Sequence, residues 1–134
     1  MIASLVESLE WTVVIPLPVI MELDGLSSDS SVLGEAAVAA SQYIISHLRT
    51  HSTSLKIQTS KGNYLTNLNV RTEQVDLRDN QSWERNMDDL ILRAAIWQST
   101  HWVDRSVFLQ SNGSKPDTTN ASKVVLLTFD RMRE

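Results

Sequence analysis

Apolar residues along this chain switch between a helical spacing and an extended one, and the switches mark out its elements. In residues 4–10, Leu5 and Leu9 stand four apart, on one face of a short helix. Residues 11–15 form a continuous, β-branched run ended by Pro16, the pattern of a strand buried on both faces. Pro18 suits the first turn of a helix, where its missing N–H costs nothing. That helix, 18–26, places Val19, Ile20, Leu23 and Leu26 along one side.

A polar connector at 27–31 leads into 32–49, where Leu33, Ala36, Ala37, Ala40, Tyr43, Ile44 and Leu48 make the clearest amphipathic helix of the chain. Residues 55–59 alternate like a strand, and Lys61, Gly62 and Asn63 supply turn chemistry before a further segment at 64–70. The polar stretch 71–85 reads as loop. A second strong helix is predicted over 87–102, with Leu90, Ile91, Ala94, Ala95, Trp97 and Trp102 apolar and Asn86 as its N-cap. After a solvated loop at 111–120, residues 124–127 form another continuous apolar strand, followed by Thr128, Phe129 and Asp130. Continuous strands alternating with helices predict an α/β fold whose parallel sheet is covered on both faces.

Composition narrows the class. At 134 residues, 42% hydrophobic and 21% charged, the chain fits one globular domain over 1–134. There is no cysteine, which excludes disulfide frameworks, thiolate zinc sites and cysteine nucleophiles, so any metal must be held by oxygen or imidazole. No apolar run approaches the ~20 residues of a membrane span, and the N-terminus lacks the basic and apolar regions of a signal peptide. No membrane association and a nuclear or cytoplasmic location are therefore expected. The net charge of -4 is unevenly spread: residues 1–48 carry six acids and no Lys or Arg, whereas 49–134 carry all twelve bases against ten acids. Such a balance argues against a polybasic nucleic-acid binder but is compatible with an acidic, cation-holding cleft.

In open α/β sheets, sites lie beyond the carboxyl ends of the strands. Three acids fall at such places: Glu22 in the helix after the first strand, Asp88 at the start of the long second helix, and Asp130 just beyond the last strand. Carboxylates converging from separate elements suit hard divalent cations such as Mg²⁺ or Mn²⁺, and two such ions ~3.5–4 Å apart support phosphodiester hydrolysis. Plainer explanations exist as well. Asp88 and Asp89 would be favoured in a first turn by the helix dipole, and Asp130 could cap a following turn. Glu22 is harder to explain so, because its spacing from Val19 and Leu26 sets it close to the apolar side.

Other constellations are weaker. His47 and His51 are four apart, as in a metal pair, but lack the metalloprotease Glu and read as surface residues, while His101 reads as packing or surface. There is no Gly-x-Ser-x-Gly elbow and no glycine-rich phosphate loop, the four glycines standing at 25, 34, 62 and 113. Trp11, Trp83, Trp97 and Trp102 do not alternate with basic residues, so spacing predicts no stacking platform for single strands.

Taken together, residues 12–26 (TVVIPLPVIMELDGL), 86–92 (NMDDLIL) and 124–131 (VVLLTFDR) resemble, in order and spacing, three motifs of PIN domains. Residues 59–63 (TSKGN) resemble a segment of one branch, the PIN domains of telomerase-binding and nonsense-mediated-decay factors of the ever-shorter-telomeres type. The resemblance spans most of 12–133. It implies a three-layer α/β domain with a parallel sheet and makes Glu22, Asp88 and Asp130 the catalytic, metal-binding acids of a Mg²⁺- or Mn²⁺-dependent ribonuclease. Asp89 would then be a cap or supporting group, and Thr128 would help position the strand end or a phosphate. The implied reaction is endonucleolytic cleavage of single-stranded RNA by water, with RNA-decay or telomerase factors as further partners.

The pattern departs from the family in two places. No strand carrying the family's first Asp stands upstream of Trp11, no Asp precedes Asp24, and the helix and strand that follow the last motif in the family are not seen. The expectation is thus a PIN-like domain lacking its first, central strand and its last strand. The alternative function is a non-catalytic module that binds RNA or protein.

Overall fold

The computed structural model describes residues 2–8, 10–69, 83–101 and 124–128, with side chains of the last helix from Asn86 onward. Helix α1 (Ile2–Ser8) is followed by strand β1 (Val13–Pro16), α2 (Leu17–Leu26), α3 (Val32–Thr50), β2 (Leu55–Gln58), β3 (Tyr64–Leu65) and α4 (Trp83–His101). Every helix and strand expected up to residue 65 is present, with ends shifted by a few residues. Pro18 lies in the first turn of α2, as its chemistry requires. Residues 71–82 of the loop predicted at 71–85 lie outside the described residues, as do the loop at 111–120 and Trp102.

The sheet is mixed rather than parallel. Its order is β1-β2-β3, with β1 and β2 parallel and β2 and β3 antiparallel. The antiparallel pair arises because the short turn at 59–63 leaves no room for a crossover helix, so the chain can only fold straight back. Thr59 accepts the Gly62 N–H at its carbonyl and the Asn63 N–H at its Oγ1, and its own N–H donates to the Asn63 carbonyl. Gly62 has φ of 91°, in the left-handed region that only glycine enters without strain.

Strand alternation makes three layers from this sheet. Ile15, Leu55 and Ile57 face one side, where they form the core with Val6 of α1, Leu17 and Ile20 of α2, and Ile44 and Leu48 of α3. Gln58 points the opposite way, towards α4, where its side-chain amide donates to the Ala94 carbonyl and its Oε1 accepts from the Gln98 amide. On α4 the inward residues are Met87, Leu90, Ala94 and Gln98, the 3–4 spacing of one helical face. The α/β, three-layer architecture follows.

Two expectations change. Residues 124–127 do not form a buried strand: they have no ladder partner among the described residues, and Val125, Leu126 and Leu127 are 53%, 51% and 58% exposed. A strand is stable only through its neighbours' hydrogen bonds, and β1 has β2 alone beside it among the described residues. The long helix also begins at Trp83 rather than at Met87, which takes residues 83–85 out of the predicted loop.

Gly25 tests how much of α2 is held by packing. A Cβ built there meets nothing within 4 Å, and the residue is exposed within the helix. Gly25→Ala is therefore expected to stabilise the chain by about 0.5–1 kcal/mol, through helix propensity alone, measured by urea unfolding with an unchanged m-value.

Candidate carboxylate site and an aromatic cluster

Each candidate acid is set by the helix that carries it. About 100° of rotation per residue turns Glu22 roughly 160° away from the buried Ile20. Val19 and Leu23 pack on the core, whereas Glu22 is exposed. Spacing set Glu22 close to the apolar side; its side chain is exposed, although Pro18, one turn before it, is buried with Leu17 and Ile20.

Asp88 is likewise exposed, and so is Asp89. Since α4 starts at Trp83, both acids lie in its second turn, beyond the reach of dipole stabilisation that fades within the first. The plain explanation of Asp88 as a first-turn charge is thereby removed. Asn86 is no N-cap either: it sits inside the helix, 8% exposed, with its Nδ2 buried and without a hydrogen-bond partner among the described residues.

Helices α2 and α4 touch one another, so Glu22 and Asp88 stand on adjoining elements. Thr128 is exposed, and Asp130 lies outside the described residues. Among the described residues, no group of three or more acids or histidines comes together to hold a metal ion. The donor chemistry, carboxylate oxygen, suits a hard divalent cation, which commonly takes one or two carboxylates and completes its shell with water and phosphate. A three-carboxylate cluster is not assembled by the described residues.

The two other histidine candidates resolve into an aromatic ladder. Along α3, the Tyr43 and His47 rings stack at 4.0 Å and His51 follows at 5.0 Å from His47. His47 Nδ1 is within 2.9 Å of both the Tyr43 carbonyl and Ser46 Oγ, so it is occupied locally. The Tyr43 hydroxyl is buried without a partner among the described residues, and burial, then the charge of Glu7, pushes its pKa upward.

Tertiary packing also builds a cluster that sequence spacing does not show. Trp97 lies edge-on to Tyr64, with ring centroids 6.2 Å apart at 87°. His101, one helical turn on, stacks flat on Trp97 at 4.4 Å and 5°. Lys56 holds its Nζ 4.8 Å above the Tyr64 ring, and the Gln98 amide donates to the Tyr64 hydroxyl at 2.8 Å. The turn closes against this group, since a Cβ on Gly62 would stand 2.2 Å from the Trp97 indole. Only the spacing of Trp97 and His101 hinted at it; Lys56 and Tyr64 arrive through the register of β2 with β3, which pairs Gln58 with Tyr64.

A family model of the PIN domain matches residues 2–132 of the chain, a span that includes the sheet, all four helices, Glu22, Asp88 and Asp130. The chain therefore belongs to the PIN domain family, whose members are in general divalent-metal-dependent nucleases with RNA-related functions.

Proposed function

We propose that this chain is the metal-dependent endoribonuclease domain of a PIN protein and acts on single-stranded RNA. The observation that carries the reading is Asp88: an exposed acid in the second turn of α4, where neither the helix dipole nor a capping role accounts for it, within the family's span. Glu22, exposed on the helix that adjoins α4, and Asp130 complete the proposed set of ligands to Mg²⁺ or Mn²⁺. Asp89 and Thr128 would support them.

A divalent cation held by carboxylates supplies an acidified water and offsets charge on the scissile phosphate. The chain's own part is to present hard oxygen donors on rigid helices, at fixed separation, and to leave them open to solvent so that a polymer can reach them. The likeness of residues 59–63 to the telomerase-binding and nonsense-mediated-decay branch supports RNA-decay or telomerase factors as partners and a nuclear or cytoplasmic location. No described helix is long and apolar enough to cross a membrane.

The direct test is incubation of a fluorescently labelled, unstructured RNA with the purified chain and Mn²⁺ or Mg²⁺. Internal cleavage is expected, to be lost with EDTA and lowered at least about ten-fold by Glu22→Gln, the effect of weakening a metal's ligand set. RNA binding that persists in EDTA without any cleavage under either metal would replace the enzyme by the non-catalytic binding module.

A further inference from the structure

We propose that the cluster of Lys56, Tyr64, Trp97 and His101 is a platform for single-stranded RNA, on which an unpaired base stacks against the outer face of His101. The proposal deepens the RNA reading above and does not depend on its catalytic part.

Three features point to it. First, Trp97 covers one face of His101, no further ring among the described residues stacks on it, and His101 is exposed, as is Tyr64 at 45%. A base added to His101 would continue the Trp97–His101 stack, and such stacking tolerates any base because every base has a π-face. Second, cations flank the rings. Lys56 sits over Tyr64, and Lys61 is exposed on the turn whose Gly62 lies against Trp97, so two ammonium groups stand on the strand and turn beside the rings, available to the backbone of a bound strand. Third, the rings are held in advance. Gln58, fully buried, and Gln98, 8% exposed, tie β2, α4 and the Tyr64 hydroxyl into one network, which lowers the ordering cost of binding.

A protein-binding hot spot centres instead on a desolvated pocket filled by an apolar anchor. Here the exposed surfaces are flat π-faces and ammonium groups.

The test measures binding of the full chain to a labelled uridine-rich single strand by fluorescence anisotropy in EDTA, where cleavage cannot interfere. His101→Ala is expected to weaken binding at least five-fold, and His101→Phe, which keeps a stacking ring, to restore most of it. Lys56→Gln should weaken binding and reduce its salt dependence by about one counterion. Duplex RNA of the same length should bind more weakly, its bases being already stacked. The platform is overturned by no binding of the single strand, by equal binding of the duplex, or by His101→Ala and Lys56→Gln binding like the parent chain. Equal binding by those variants would leave the patch to a protein partner. Loss of cleavage in Asp88→Asn with the platform's binding intact would not touch it, so the two readings fail separately.

Discussion

Asp88→Asn is expected to lower metal-dependent RNA cleavage at least about 100-fold while leaving the fold and the RNA affinity in EDTA unchanged. The substitution keeps the size and shape of the side chain and removes its charge, which is what a divalent cation requires of a ligand. A 100-fold loss is about 2.7 kcal/mol of transition-state stabilisation, the scale on which a metal site responds to disruption. Stability should stay within about 0.5 kcal/mol, because Asp88 is exposed and beyond the first turn of α4, where its charge no longer contributes through the helix dipole. Initial rates at saturating Mn²⁺, together with a urea unfolding curve, separate these outcomes. Cleavage by Asp88→Asn at the parent rate would remove Asp88 from the site.

Gly34→Ala should be the most destabilising of the small substitutions considered for this chain. A Cβ at Gly34 would stand 1.8 Å from the Asp29 carbonyl oxygen and 2.7 Å from its carbon. Both are backbone atoms, so no side chain can swing aside. The connector between α2 and α3 is itself pinned, with the Asp29 carboxylate accepting the Ser31 N–H at 2.9 Å and Ser27 bonded back to the Leu23 carbonyl at 2.7 Å. Accommodating the methyl means moving α3 away from the connector at Asp29, at a cost of about 1–3 kcal/mol. That corresponds to a fall in Tm on the order of 5–10 °C. Helix propensity alone predicts the opposite sign, a gain of up to ~1 kcal/mol, as expected at Gly25. A thermal melt of the two alanine variants side by side therefore reads packing against propensity directly, and equal stabilisation of both would show that the contact of Gly34 with the Asp29 backbone is looser than these distances require.

The two glycines also mark how far reading the chain goes. Both lie in helical stretches, and nothing in the sequence separates them: one faces solvent and the other takes the weight of a neighbouring backbone. Glu22 shows the same limit. Its spacing from Val19 and Leu26 is compatible with the apolar side, and Pro18 one turn before it is buried, yet Glu22 itself is exposed. At residues 124–127 the local pattern of a buried strand is unmistakable, but a strand needs a neighbour, and among the described residues none pairs there.

What the sequence by itself determined was the set of elements that depend on local periodicity and turn chemistry. The spacing of seven and four between Ala37, Ile44 and Leu48, two turns and one, makes α3 amphipathic, Pro18 suits the first turn of α2, and Lys61-Gly62-Asn63 turns the chain between β2 and β3. Motif order likewise identified the family and its candidate acids, because such order survives without any knowledge of contacts. Only the tertiary structure decided which faces meet. It made the sheet mixed, placed Asp88 in a second turn, and brought Lys56, Tyr64, Trp97 and His101 together from two strands and a helix. The contact of Tyr64 with Trp97 acts over a few ångströms between residues about 33 positions apart, so it comes into being only when packing brings β3 and α4 together.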